Sequence, residues 1–201
     1  MIYTIKKDTN NDTRFRIPDI FTGKFKKTWK VSLSPECWYP QELGYNQINK
    51  LVGVTEFWSA NNKNSVMVGW DPCYLPEEEI LEKYPHCKNL GAPLTDVKYF
   101  NIYYYTNDAN GGHVAELSTV VADWRINDIE VVMNRYEQDK KTLPMSTIIC
   151  PVQFSGDMNL RSITWEANKA YMALPKGWLR EIFLWFGGTR KAPQDMLFKV
   201  G

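Results

Sequence analysis

The sequence predicts an all-β fold, a sandwich or a barrel, on three observations. Short runs rich in β-branched and aromatic residues recur along the chain, with apolar and polar positions alternating. Clusters of Gly, Asn, Asp and Pro bound these runs, as turns between strands require. Only one segment carries the signals of a helix.

In chain order the strand candidates begin with TWKVSL (28–33), KLVGVTEF (50–57) and SVMVGW (65–70). VKYFNIYYYT (97–106), HVAELSTVV (113–121) and DIEVVMNRY (128–136) follow. STIIC (146–150), SITWE (162–166), KAYMAL (169–174), EIFLWF (181–186) and MLFKV (196–200) complete the series. NDANGG (107–112) supplies residues that tolerate positive φ between two strong strands, and residues 166–168 form a second short connection, so both read as hairpins. Alternation within the tyrosine row must send Tyr104 to the face opposite Tyr103 and Tyr105.

LPEEEILEKYP (75–85) is the exception. Pro76 suits the first helical position, three glutamates occupy the first turn where the helix dipole favours them, and Pro85 stops the segment. The spacing predicts a short helix in a loop. Its glutamates fan out around the axis, which makes them a solvated face rather than a converging acid site.

Composition narrows the function classes. Lys and Arg number 24 against 23 Asp and Glu, so no net charge draws the chain to nucleic acid or to an anionic membrane. No apolar run reaches the roughly eighteen residues of a membrane span or the length of a signal sequence. Cys37, Cys73, Cys87 and Cys150 are scattered without a CxxC pair, and His86 and His113 stand apart, which predicts buried thiols and no metal or cofactor. No GxSxG elbow or phosphate loop is present.

A retaining glycosidase needs two carboxylates about 5–5.5 Å apart. The nearest arrangements are Asp128 with Glu130 and Glu166 with Glu181, and neither lies in a dense acidic and aromatic motif, so no catalytic residue is assigned. Aromatics say more: eight tryptophans and eleven tyrosines exceed the needs of one core, and exposed rings stack on sugars or anchor protein interfaces. Trp29, Trp70 and Trp165 lie in regular strands and are expected in the core. Trp38, Trp58 and Trp178 sit beside loop signals and, with Tyr104, are the candidate ligand-binding residues.

The order INKLVGV (48–54), NSVMVGW (64–70), a tyrosine-rich strand and FGGTRKAPQDM (186–196) resembles a pattern in uncharacterised concanavalin A-like jelly-roll proteins of gut Bacteroidota and their phages. The resemblance runs from about residue 3 to residue 200. It implies one jelly-roll domain over residues 1–201, built of two antiparallel sheets, with an inserted loop at about 71–94 that departs from the pattern. It also implies that Phe-Gly-Gly closes the penultimate strand, with Gly187 and Gly188 serving backbone geometry and Arg190 and Lys191 solvated.

Three functions suit such a fold. The resemblance favours a non-catalytic virion component, capsid-decorating, fibre or tail-associated, whose partners are other virion proteins or further copies of itself. A surface polysaccharide would be its ligand. The alternatives are a carbohydrate-binding module and a polysaccharide lyase or glycoside hydrolase. The expected location is the virion if the chain is phage-encoded, and otherwise the cytoplasm as synthesised.

Overall fold

The computed structural model describes residues 1–11, 17–22, 25–41, 48–58, 65–107, 112–135, 146–154, 157–166, 178–187 and 190–201, with the side chains of 132, 134, 135, 146–154 and 157–166 outside that description. The strands are β1 (Ile2–Ile5), β2 (Ile20–Phe21), β3 (Phe25–Leu33), β4 (Asn49–Glu56), β5 (Ser65–Pro72) and β6 (Tyr99–Asn107), followed by β7 (His113–Ala122), β8 (Asn127–Arg135), β9 (Ser146–Phe154), β10 (Asp157–Glu166), β11 (Leu179–Trp185) and β12 (Met196–Val200). One α-helix, α1 (Glu77–Lys83), lies between β5 and β6, followed by a 3-10 turn at Pro85–Cys87. The first sheet runs β1-β12-β3-β8-β9-β10 and the second β2-β11-β4-β5-β6-β7. Every pairing is antiparallel, so the chain is an all-β sandwich.

Alternation explains which residues meet between the sheets. In β6 Phe100, Ile102 and Tyr104 turn inward while Asn101, Tyr103 and Tyr105 stand on the other face. Trp29, Val31 and Leu33 of β3 and Ile129, Val131 and Met133 of β8 meet them from the first sheet. Trp70 crosses the gap edge-on to Phe198, with centroids 5.9 Å apart, and also meets Phe100 at 5.8 Å. Burying a side chain of this size stabilises the fold by about 1.5–3 kcal/mol relative to leaving it exposed. A polar contact crosses as well: the Trp29 indole N–H donates to Glu181, which is 2 % exposed and also accepts the Asp19 backbone N–H at 3.3 Å.

The segment between β5 and β6 covers part of the second sheet. Ile80, Cys73 and Cys87 pack on Tyr99, Val120, Ala122 and Ile126. Tyr99, Val120 and Ala122 alternate with the core residues Phe100 and Val121, so this small cluster sits on the outer face. Pro76 stands one position before α1, as its cap, rather than at the first helical position. The glutamates do separate: Glu77 accepts the Tyr99 hydroxyl at 2.7 Å and Glu79 lies 3.4 Å from Lys83.

The 107–112 connection joins adjacent strands as a hairpin does, with Asn107 opposite His113. Residues 186–196 carry the chain from β11 in the second sheet to β12 in the first. The buried Gly187 N–H donates to Asn49 Oδ1 at 2.8 Å, Arg190 is half-buried rather than solvated, and Lys191 is exposed. The expected strand at 169–174, most of the 166–168 connection and Gly188 lie outside the described residues, as do the side chains of Cys150, Trp165 and Glu166.

Candidate functional site

Directly paired residues in an antiparallel sheet share a face, so the register of the second sheet reads out its outer surface row by row. Trp178 and Phe57 flank one end, followed by Arg180, Thr55, Ser65, Asn107 and His113. Ile182, Gly53, Met67, Tyr105 and Ala115 come next, then Trp185, Lys50, Gly69, Tyr103 and Leu117. Asp71 and Asn101 border the α1 segment at the far end. Rows lie roughly 7 Å apart and strands roughly 4.8 Å apart, and this face is not open throughout: Thr55, Ser65, Met67 and Ile182 are buried, Lys50, Tyr103 and Tyr105 are half-buried, and His113 is exposed.

Two of the aromatics singled out in the sequence come together here. Trp58 is 85 % exposed and Trp178 is 58 % exposed. Phe57 joins them, edge-on to Trp58 at 4.7 Å and to Trp178 at 5.9 Å, and its backbone N–H donates to the Trp178 carbonyl at 2.9 Å. That hydrogen bond extends the β4–β11 ladder by one pair, Phe57 with Trp178, and Trp58 follows directly in the turn, held against the Phe57 ring. Such large exposed rings cost solvation without a partner, and they mark binding surfaces when they cluster.

The other two candidates lie elsewhere. Trp38 is half-buried, edge-on to Tyr74 at 5.6 Å, with Lys98 Nζ 4.8 Å over its ring and its indole N–H donating to the Cys73 carbonyl at 3.4 Å. It ties the loop after β3 to the α1 segment. Tyr104 faces the interior at 7 % exposure, so its ring offers no open face for stacking, and the tyrosines turned outward are Tyr103 and Tyr105. Alternation within the YYY row had left open which face was which, and the core neighbours Phe100 and Ile102 decide it.

A polar cluster missed by sequence reasoning occupies the middle of the face. Lys50 Nζ stands 4.6 Å over the Tyr105 ring and donates to the Ile48 carbonyl at 2.7 Å. Tyr105 in turn stacks on His113, with centroids 5.7 Å apart and planes 11° from parallel. Burial pulls the Lys50 ammonium down to about 8 and pushes the Tyr105 phenol up. One row away, Asp71 accepts the Asn101 amide at 2.8 Å and the Tyr103 hydroxyl at 3.2 Å. Burial raises the Asp71 carboxyl, while those two hydrogen bonds oppose the shift.

Lys50 reaches this face through a break in alternation. Val52 and Val54 point into the core, and a regular strand would send Lys50 with them. The β4–β5 register shifts between Lys50 and Val52, which makes Leu51 the extra residue. Across the ladder, Leu184 of β11 has φ 43°, a left-handed conformation unusual for a leucine, and both leucines are buried in the core. The matched irregularities place Lys50 and Trp185 opposite each other on the outer surface.

The carboxylates considered from the sequence have separate partners. Asp128 accepts the Ser32 hydroxyl, and Glu130 lies 3.5 Å from Lys30 Nζ. Glu181 points between the sheets to Trp29. Among the described residues no three His, Cys, Asp or Glu side chains gather as a metal site, and no helix is long and apolar enough to cross a membrane. In comparison with known proteins, no family model matches the sequence and no curated protein matches it.

Proposed function

We propose that this chain is a non-catalytic jelly-roll component of a phage virion that adheres to a surface glycan through the outer face of its second sheet. The observation that carries the adhesive role is the pairing of Trp58 and Trp178, both widely exposed, on the shared support of Phe57. Indole faces stack on the apolar faces of sugar rings, and a rigid aromatic pair loses little conformational entropy on binding. The virion placement rests on the resemblance of segments 48–54, 64–70 and 186–196 to jelly-roll proteins of gut Bacteroidota and their phages. Tyr103, Tyr105 and His113, in three successive rows, give the same face further rings along which an extended chain would lie.

The test is intrinsic tryptophan fluorescence of the purified chain against a panel of bacterial surface polysaccharides. Saturable quenching is expected, weakened by about 2 kcal/mol, a typical value for an aromatic anchor, in Trp58→Ala or Trp178→Ala. Trp38→Ala should bind as the parent does, because Trp38 is committed to the α1 segment. A flat response across the panel would refute glycan adhesion. Absence of the chain from purified particles, probed with an antibody against it, would refute the virion assignment.

A further inference from the structure

The face that carries Trp58 and Trp178 also has a locus of different chemistry. An ammonium group has three N–H donors, and Lys50 commits one of them, to the Ile48 carbonyl. Among the described residues no carboxylate lies within 4.0 Å of Lys50 Nζ. The one described carboxylate on the same face, Asp71, is held by Asn101 and Tyr103. Ser65, 2 % exposed and in the row of Asn107 and His113, has a hydroxyl oxygen without a hydrogen-bond partner. The face therefore holds positive charge at Lys50 and a flat pair of rings beside it, over a buried hydroxyl, with its acid turned toward neighbours in the sheet.

We infer that Lys50, Tyr105 and His113 form a subsite for an acidic sugar residue, with its carboxylate on the Lys50 ammonium and its apolar ring face on the Tyr105–His113 stack. This rests on the glycan-binding reading and names the class of glycan. Lys50 is partly desolvated, so its charge-assisted hydrogen bond to a carboxylate is screened less by water than one at an open surface, and the Tyr105 ring covers the ammonium on one side. The lowered Lys50 value reports that same loss of hydration. An acidic peptide could satisfy the ammonium but would leave the ring stack without a flat partner.

The experiment titrates the full chain by calorimetry with oligosaccharides of galacturonate, hyaluronan and sialate. Each is tested beside its carboxyl-reduced counterpart, and poly-glutamate serves as competitor. The acidic form of at least one sugar should bind at least tenfold more tightly than its reduced form. Lys50→Met should erase that difference while leaving binding of the reduced form within twofold, Lys50→Arg should keep it, and Trp178→Ala should weaken both forms alike. Thermal melting establishes that each variant folds. Equal binding of acidic and reduced forms, an unchanged preference in Lys50→Met, or competition by poly-glutamate as strong as by the acidic sugar would overturn the inference and leave the glycan reading standing. Binding of neither form by any sugar would overturn both.

Discussion

Replacing Gly53 with alanine tests how tightly the outer face is built. A glycine in a strand interior ordinarily destabilises by about 0.5–1 kcal/mol relative to alanine, so the substitution would raise stability if room existed. It does not exist here: a Cβ at Gly53 would stand 2.7 Å from the Met67 Cα and closer still to the Val66 carbonyl oxygen. Both are backbone atoms of β5, so relief requires β4 and β5 to part. Overpacking of this kind costs about 1–3 kcal/mol, which outweighs the propensity gain and leaves a net loss of about 1–2 kcal/mol. For a chain of this length that is a drop in melting temperature of roughly 2–8 °C. Gly69→Ala should also lose stability, because its Cβ meets the Ile48 Cγ2 methyl on a branched, stiff side chain, with the Asn49 carbonyl at 3.1 Å. Gly91→Ala meets only Asn89 Oδ1 at 3.4 Å, an ordinary contact, and should be near neutral. Scanning calorimetry of the three variants decides the matter. A Gly53→Ala protein that melts at or above the parent, or a larger loss at Gly91 than at Gly53, would refute the reasoning.

Other outcomes follow from the same geometry. The titratable groups around Lys50 are Tyr103 and Tyr105 of β6, His113 of β7 and Asp71 of β5, and Trp185 and Gly69 are its direct cross-strand neighbours. With its folded value at about 8, below the ordinary 10.5, the unfolded chain binds the extra proton between those pH values. Stability from this residue therefore rises from about pH 8 to 10.5, while affinity for an acidic sugar falls as pH passes about 8. Lys50→Met should flatten both curves, which pH-dependent melting and titration would show. Burial pushes the Cys37 thiol far up and the Cys87 thiol up to about 12, and raises Cys73 as well. A thiol reagent at pH 8 should leave these three unlabelled until denaturant is added, and rapid native labelling of any of them would contradict their burial.

The strands were legible where β-branched and aromatic residues are dense and turn residues bound the run. The run read at 65–70 lies within β5 and that at 113–121 within β7, although β5 is buried on both faces and the β6–β7 register shifts at Ser118. β1 and β2 escaped notice, being four and two residues long and carrying no pattern beyond their pairing with β12 and β11. Which strands are neighbours was not legible, since it depends on contacts between the two ends of the chain. Trp58 and Trp178 were found from their loop setting, but their union through Phe57 depends on a long-range β4–β11 pair. Lys50 was hidden by the same property that makes it useful: it breaks the alternation, and one-residue slips leave no mark in a sequence pattern.

The place of β12 bears on how the fold is reached. It does not sit at the margin of the first sheet but between β1 and β3, pairing with both. Until residues 196–200 have been synthesised, β1 has no neighbour in that sheet, and the β3 edge near Val31 and Leu33 stays open. Phe198, which meets Trp70 from across the sandwich, arrives with them. Pairing over such a separation has a high loop-closure cost and slows folding. Closure is therefore set by the order of synthesis: β12 is a keystone, and a growing chain that has made β1 to β11 still holds an open seam, vulnerable to other chains, where β12 will enter.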